Sequence, residues 1–197
     1  MTMNDFFGAL GAIVALAGIL LTIWKLLGPK LALSFSSKGT RTTFGKEDGY
    51  IWHLEVRNLG KLRPANNVRA VVRKISHGPV NGSLEIKWTH PMQIKWSYDG
   101  DRTSPRTLRR GSCEIANIGF IVRKNGYFQL DICQDPWPPV FPGLLNANEQ
   151  MCIEVIAEAD NARSKPFWIK AICYGGWSEN ADAMTEHIVI EQATSCG

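Results

Sequence analysis

The sequence predicts an all-β chain: an antiparallel β-sandwich preceded by one N-terminal transmembrane α-helix. Three observations carry this. Residues 6–24, FFGALGAIVALAGILLTIW, hold no charged side chain. Beyond Pro29 the helical period vanishes, and short runs alternate apolar with polar residues, as half-buried strands do. Clusters of Gly, Asn, Asp and Pro separate those runs, and these residues favour turns. Such short strands with no helical run between them make a sandwich or a barrel.

The first element is the apolar run. Its nineteen residues would span roughly 28 Å as a helix, close to the hydrocarbon thickness of a bilayer. Phe6, Phe7 and Trp24 stand at its ends, where bulky rings favour the membrane interface. A cleaved signal would begin with basic residues and end on small ones, whereas this chain begins MTMND and continues WKLLGPK. A buried core helix of this length is rarely apolar on every side. Asp5 precedes the run, and Lys25, Lys30, Lys38, Arg41 and Lys46 follow it. The positive-inside rule then sets the N-terminus outside and the remainder in the cytoplasm, at the inner (plasma) membrane. Gly8, Gly11, Ala12, Ala15 and Gly18 share one helical face, a pattern that permits close helix–helix approach and self-association.

The domain plan follows: an anchor at 1–27, a short linker at 28–32, a β-sandwich at 33–192 and a tail at 193–197. The expected strands are 31–36, 50–56, 67–75, 84–88, 92–96, 114–122, 127–132, 151–159, 166–174 and 187–191. In YIWHLEV, Tyr50, Trp52, Leu54 and Val56 share one face, and His53 points to the other. Lys124-Asn125-Gly126 between two apolar runs reads as a hairpin.

HLEVRNLGKLRPANNVRAVVRKI (53–75) and LLNANEQMCIEVIAEA (144–159) resemble the strand–turn–strand segments of immunoglobulin-like sandwiches of the CARDB and DUF11 kind. The resemblance implies an immunoglobulin-like sandwich and covers about forty residues, fewer than a whole domain. The pattern W-H-L-x-V-x-N, P-A-x-N-V, A-D-N-A-x-S-K-P-F and G-x-W-S also resembles a group of membrane-anchored bacterial proteins of undefined function. It implies the layout alone, so no catalytic residue carries over.

Signals for chemistry are sparse. His53, His77, His90 and His187 form neither H-x-H nor H-E-x-x-H, and no phosphate-loop, dinucleotide or serine-elbow motif occurs. Gly175-Gly176-Trp177-Ser178 reads as a turn. No enzyme activity, metal or cofactor is expected. Five cysteines, Cys113, Cys133, Cys152, Cys173 and Cys196, lack C-x-x-C spacing. They are expected to be reduced and mostly buried, which agrees with a cytoplasmic domain.

Charge is uneven. Residues 1–130 hold 19 Lys+Arg and 8 Asp+Glu, and residues 131–197 hold 3 and 10. The two parts could attract within one fold or between copies. Arg102, Arg106, Arg109 and Arg110 crowd the loop DRTSPRTLRRGS (101–112), and QDPWPPVFPG (134–143) sets Trp137 and Phe141 among four prolines. The basic residues suit anionic lipid, a phosphorylated ligand or plain solvation. Sparse aromatic interleaving disfavours nucleic acid. The expected function is a membrane-anchored, non-enzymatic interaction module. It recruits a protein partner through Arg102, Arg106, Arg109, Arg110, Trp137 and Phe141. The alternative is a membrane effector of a stress or defence system that senses a phosphorylated small ligand and self-associates through its helix.

Overall fold

Alternation along one long strand organises the core. Tyr50, Trp52, Leu54 and Val56 are buried along β3 (Glu47–Asn58), while Ile51, His53 and Glu55 between them are partly exposed. The computed structural model describes residues 3–97, 102–133, 141 and 143–196; for helix residues 3–10, 12 and 24–26 it describes the backbone alone.

Helix α1 runs Met3–Leu27. Among the residues whose side chains are described, which are only part of α1, no helix is long and apolar enough to cross a membrane. Side chains are described within α1 only at 11, 13–23 and 27.

Two antiparallel sheets follow. The first joins β1 (Leu31–Phe35), β3, β8 (Cys113–Val122), β9 (Phe128–Leu130) and β10 (Leu144–Leu145) in that order, with β2 (Thr40–Phe44) also on β3. The second runs β14 (Ile188–Ala193), β13 (Phe167–Cys173), β11 (Glu149–Ala159), β4 (Ala65–Pro79) and β5 (Glu85–Trp88). In it β12 (Ala162–Arg163) pairs with β11, and β6 (Met92–Gln93) and β7 (Arg106–Leu108) pair with β4. A four-residue helix, α2 (Ala181–Met184), precedes β14, and its Asn180 side chain accepts from the Asp182 and Ala183 N–H groups. The antiparallel sandwich expected from alternation is therefore present, with β1 starting at Leu31, inside the stretch read as linker. The KNG hairpin joins β8 to β9, with Gly126 at φ 70°.

β5, β6 and β7 make one interrupted pass along the edge of β4. β5 pairs near Ile75–His77, β6 at Val71–Val72 and β7 at Ala65–Val68. Midway it reaches over to the other sheet through Ile94↔Ile132 and Trp96↔Ala116 bridges. Trp52, Trp96, Tyr50 and Phe128 are fully buried between the layers. Trp52 and Phe128 meet edge to face at 5.6 Å, a favoured aromatic geometry.

Two expectations are corrected. The chain contains a short helix after β13, too brief for any periodicity to announce it. Cys152 and Cys196 are joined as a disulfide, with Cα atoms 5.6 Å apart, so the five thiols are not all reduced. Cys152 faces away from the core cluster on β11, and the tail after β14 brings Cys196 to it. Cys113 and Cys173 are free thiols. Burial raises the Cys173 pKa above that of an ordinary thiol, and burial with Glu55 does the same for Cys113, so neither is an activated nucleophile.

Candidate functional site

The helix exit is built around Asn58. This last residue of β3 is fully buried and uses its amide completely. Oδ1 accepts from the Lys30 N–H at 3.1 Å and the Gly60 N–H at 2.9 Å. Nδ2 donates to Arg63 O at 2.9 Å and Leu108 O at 3.0 Å. Its backbone N–H donates to Ser112 O, and its carbonyl accepts from the Gly111 N–H. One side chain thus ties the chain leaving α1, the loop 59–63 and the turn 109–112 to the end of the sandwich.

The backbone closes the same joint. Leu59 N–H donates to Lys30 O at 2.7 Å, and Leu62 N–H to Leu27 O at 3.3 Å. The second bond satisfies a carbonyl that the end of α1 leaves without a helical partner. Gly60 lies so close that a β-carbon there would stand 2.5 Å from Gly28 O and 2.6 Å from Pro29 Cα.

Around this joint the surface is cationic and apolar together. Lys30, Lys61, Arg109 and Arg110 are exposed. Ser112 N–H and Oγ both donate to Arg109 O, and Gly111 takes φ 69°, so Arg109 and Arg110 form the tip of a tight turn. Leu59 and Leu62 are 56% and 65% exposed, although both are large apolar residues.

The four expected arginines therefore divide. Arg109 and Arg110 are exposed, whereas Arg102 and Arg106 are half-buried. Arg102 forms an ion pair with Asp131, whose side chain is 5% exposed, and its Nε donates to Trp96 O. Phe141 is buried, with its ring 5.1 Å from His77, so it does not project as a contact residue. Trp137 lies outside the described residues. On α1, Gly11, Ala15 and Gly18 are exposed, and nothing approaches within 4 Å of where a β-carbon on Gly11 or Gly18 would sit. Gly8 and Ala12 share the helix backbone.

Asp131 anchors a polar network across the first sheet that the sequence did not suggest. Asn117 Nδ2 donates to Asp131 at 2.9 Å, and Lys95 Nζ lies 3.4 Å away. Because a carboxylate only accepts, this fixes the Asn117 amide with Oδ1 toward His53, 3.1 Å from Nδ1. His53 Nδ1 must then carry the proton. Burial holds the His53 pKa below its ordinary value, and the Asn117 hydrogen bond opposes that only in part.

Two clefts remain. One of about 420 Å³ is lined by Asn67, Arg69, Glu158, Asp160 and Arg163. Its charges already face one another: Arg163 lies 3.2 Å from Glu158, and Asn67 Nδ2 lies 2.5 Å from Asp160. The other, about 450 Å³, contains His77 and Glu149, 3.2 Å apart. Burial would raise the Glu149 pKa, but the Asn146 N–H at 2.7 Å and His77 outweigh it and hold the carboxyl below its usual range. Among the described residues, no group of three or more His, Cys, Asp or Glu is placed to hold a metal. Compared with protein-family models and with curated proteins, the chain finds no match.

Proposed function

We propose that this chain is a membrane-anchored, non-enzymatic interaction module. In this reading α1 crosses the inner membrane once, with its N-terminus outside. The immunoglobulin-like β-domain lies on the cytoplasmic face and recruits a protein partner. The observation that carries the anchor is the bareness of α1. Ile13, Val14, Leu16, Ile19, Leu20, Leu21 and Ile23 are between 45% and 65% exposed. Each such side chain left in water forgoes about 1.5–3 kcal/mol relative to burial, so a helix of this kind is stable only where lipid or another helix covers it. The small-residue face, Gly11 to Gly18, suits a second copy within the bilayer.

Two cues bear on the side of the membrane. The Lys30, Lys38, Arg41 and Lys46 flank favours the cytoplasm, and the Cys152–Cys196 bond favours an oxidising compartment. Flanking charge acts while the helix inserts, before the sandwich exists, so it takes precedence here. The disulfide is 1% and 6% exposed at its two residues, a site sheltered from reductants. The ligand-sensing reading is weaker, because Glu158 and Asp160 share the cleft of Arg69 and Arg163 and repel an incoming anion.

Alkaline extraction of membranes from cells making the tagged full chain tests the anchor: retention in the pellet supports it, and release refutes it. A protein that co-purifies after in-cell crosslinking, and is lost on Trp137→Ala, supports the module. Equal recovery with the variant removes that loop from the contact.

A further inference from the structure

The loop 59–63 presents two exposed leucines at the place where the chain leaves α1. Among the described residues outside α1, the exposed large apolar side chains are Leu59, Leu62, Ile86 and Tyr174. Two of these four are therefore three residues apart in one loop, and that loop is fastened to the helix. Leu62 shares a groove of about 690 Å³ with Ala17, Leu20, Leu21, Ile23 and Leu27. Leu59 lines a second groove of about 630 Å³, with Ile23, Leu27 and Lys30. The leucines thus flank the last turns of the helix.

We infer that this loop is a second membrane contact, in which Leu59 and Leu62 enter the bilayer interface and Lys30, Lys61, Arg109 and Arg110 meet anionic phospholipid headgroups. The inference rests on the anchor reading above. Ala17 to Leu27 covers roughly 15 Å of helix, and Ala17, Leu20, Leu21 and Ile23 belong to the uncharged run of 6–24. Any bilayer that takes those residues takes Leu62 beside them to the acyl boundary. The hydrogen bonds from Leu59 and Leu62 to Lys30 O and Leu27 O hold the loop at that depth. Leucine side chains at an interface with cations around them are what amphipathic, lipid-adsorbing segments use. The Asn58 amide couples the Arg109–Arg110 turn to the same plane, so apolar and cationic contacts are made together. Of the acids on the neighbouring strands and turns, Asp160 accepts from Asn67, Glu55 pairs with Arg57, and Glu114 is half-buried. The second contact fixes the tilt of the β-domain on the membrane, and thereby which loops face outward to a partner.

Photo-crosslinking in full-length chain tests this. p-Benzoylphenylalanine replaces Leu62, Ile13 or Ile86 one at a time, in vesicles of mixed phosphatidylglycerol and phosphatidylcholine. The expected result is lipid adducts from positions 62 and 13 and none from 86. Phosphatidylglycerol should be enriched in the position-62 adducts above its share of the bilayer. Enrichment should fall severalfold with Arg109→Ala/Arg110→Ala, since each charge near a surface is worth about fivefold. Lipid adducts at 13 but not at 62 overturn the inference and leave the anchor standing; none at either position overturns both. A crosslink from 62 to a second copy overturns it in favour of self-association. Adducts without phosphatidylglycerol enrichment overturn the anionic contact.

Discussion

Asn58→Ala is the substitution that tests the construction of the helix exit most directly. It removes one carboxamide and strands four backbone groups. Two of the four bonds, to Gly60 N–H and Leu108 O, are buried. The other two, from Lys30 N–H and to Arg63 O, are only part-buried, and water can replace the lost partner there. An unsatisfied buried donor or acceptor costs about 1–3 kcal/mol, so the two buried groups together predict a loss of about 2–6 kcal/mol. A domain of this size is stable by about 5–15 kcal/mol in all, so the change is large.

Urea titration of the full chain in detergent, followed by tryptophan fluorescence, reads the loss as a lower midpoint at unchanged slope. Amide exchange localises it. Protection should fall at 59–63 and 109–112 and stay unchanged in the 124–126 hairpin at the other end of β8. Asn58→Asp sharpens the test because it keeps both acceptor bonds and replaces the donor with an oxygen facing two carbonyls. It should be at least as damaging as alanine at neutral pH and partly recover in acid, where the carboxyl regains a proton to donate. A loss below about 1 kcal/mol for Asn58→Ala would refute the reasoning, as would loss of exchange protection spread evenly over the domain.

Three further outcomes are expected. Gly60→Ala forces a β-carbon against Gly28 O and Pro29 Cα and should cost about 1–3 kcal/mol, the range for overpacking, in the same urea assay. Breaking the Cys152–Cys196 bond, closed over a separation of 44 residues, should cost about 4 kcal/mol on the chain-entropy relation; Cys196→Ser or added reductant should lower the urea midpoint, and reductant should do nothing further to the variant. For His53, the folded state depresses the pKa below the ordinary 6.5, so the neutral ring is favoured. Its contribution is fully present above about pH 6.5 and lost as pH falls toward the folded value; thermal melts from pH 7 to 5 should decline, and His53→Gln should flatten that decline.

Where period 2 coincides with burial, the sequence is explicit. Tyr50, Trp52, Leu54 and Val56 are buried where alternation puts them, because β3 has the sandwich core on one side; on β11 Met151, Ile153, Val155 and Ala157 follow the same rule, but Cys152 and Ile156 between them are buried too. β2, TRTTF, is different. It pairs only with β3 and stays largely exposed, so no apolar face is required of it and none is written. β5 and β6 fall within the expected strands 84–88 and 92–96, while β7 falls in the stretch read as the loop 101–112; each covers only part of the β4 edge, which leaves runs too short for a period. The Asn58-Leu59-Gly60 turn was visible, but its four-bond amide depends on Lys30, Arg63 and Leu108, brought together by the crossing of two sheets. The disulfide was misjudged for a similar reason. Spacing shows no motif between Cys152 and Cys196, and only the course of β14 along β13 carries the tail back to β11.

The uneven charge finds a spatial explanation in the same frame. At the end of the sandwich away from α1, acids from residues 131–197 meet bases from residues 1–130. Glu179 pairs with Arg41 and Arg123, and Asp182 with Lys38 at 2.6 Å. Asp131 takes up Arg102 and Lys95 along the side. The exposed pairs of Glu179 and Asp182 add little stability, about 0–1 kcal/mol each, but together with Asp131 they decide where positive charge is left. The late acids neutralise the far end and the flank, while Lys30, Lys61, Arg109 and Arg110 stay exposed at the helix exit. A net charge of only +4 therefore understates the field at that end. The excess lies beside the helix whose apolar side chains require cover, and an anionic bilayer supplies both the cover and the countercharge.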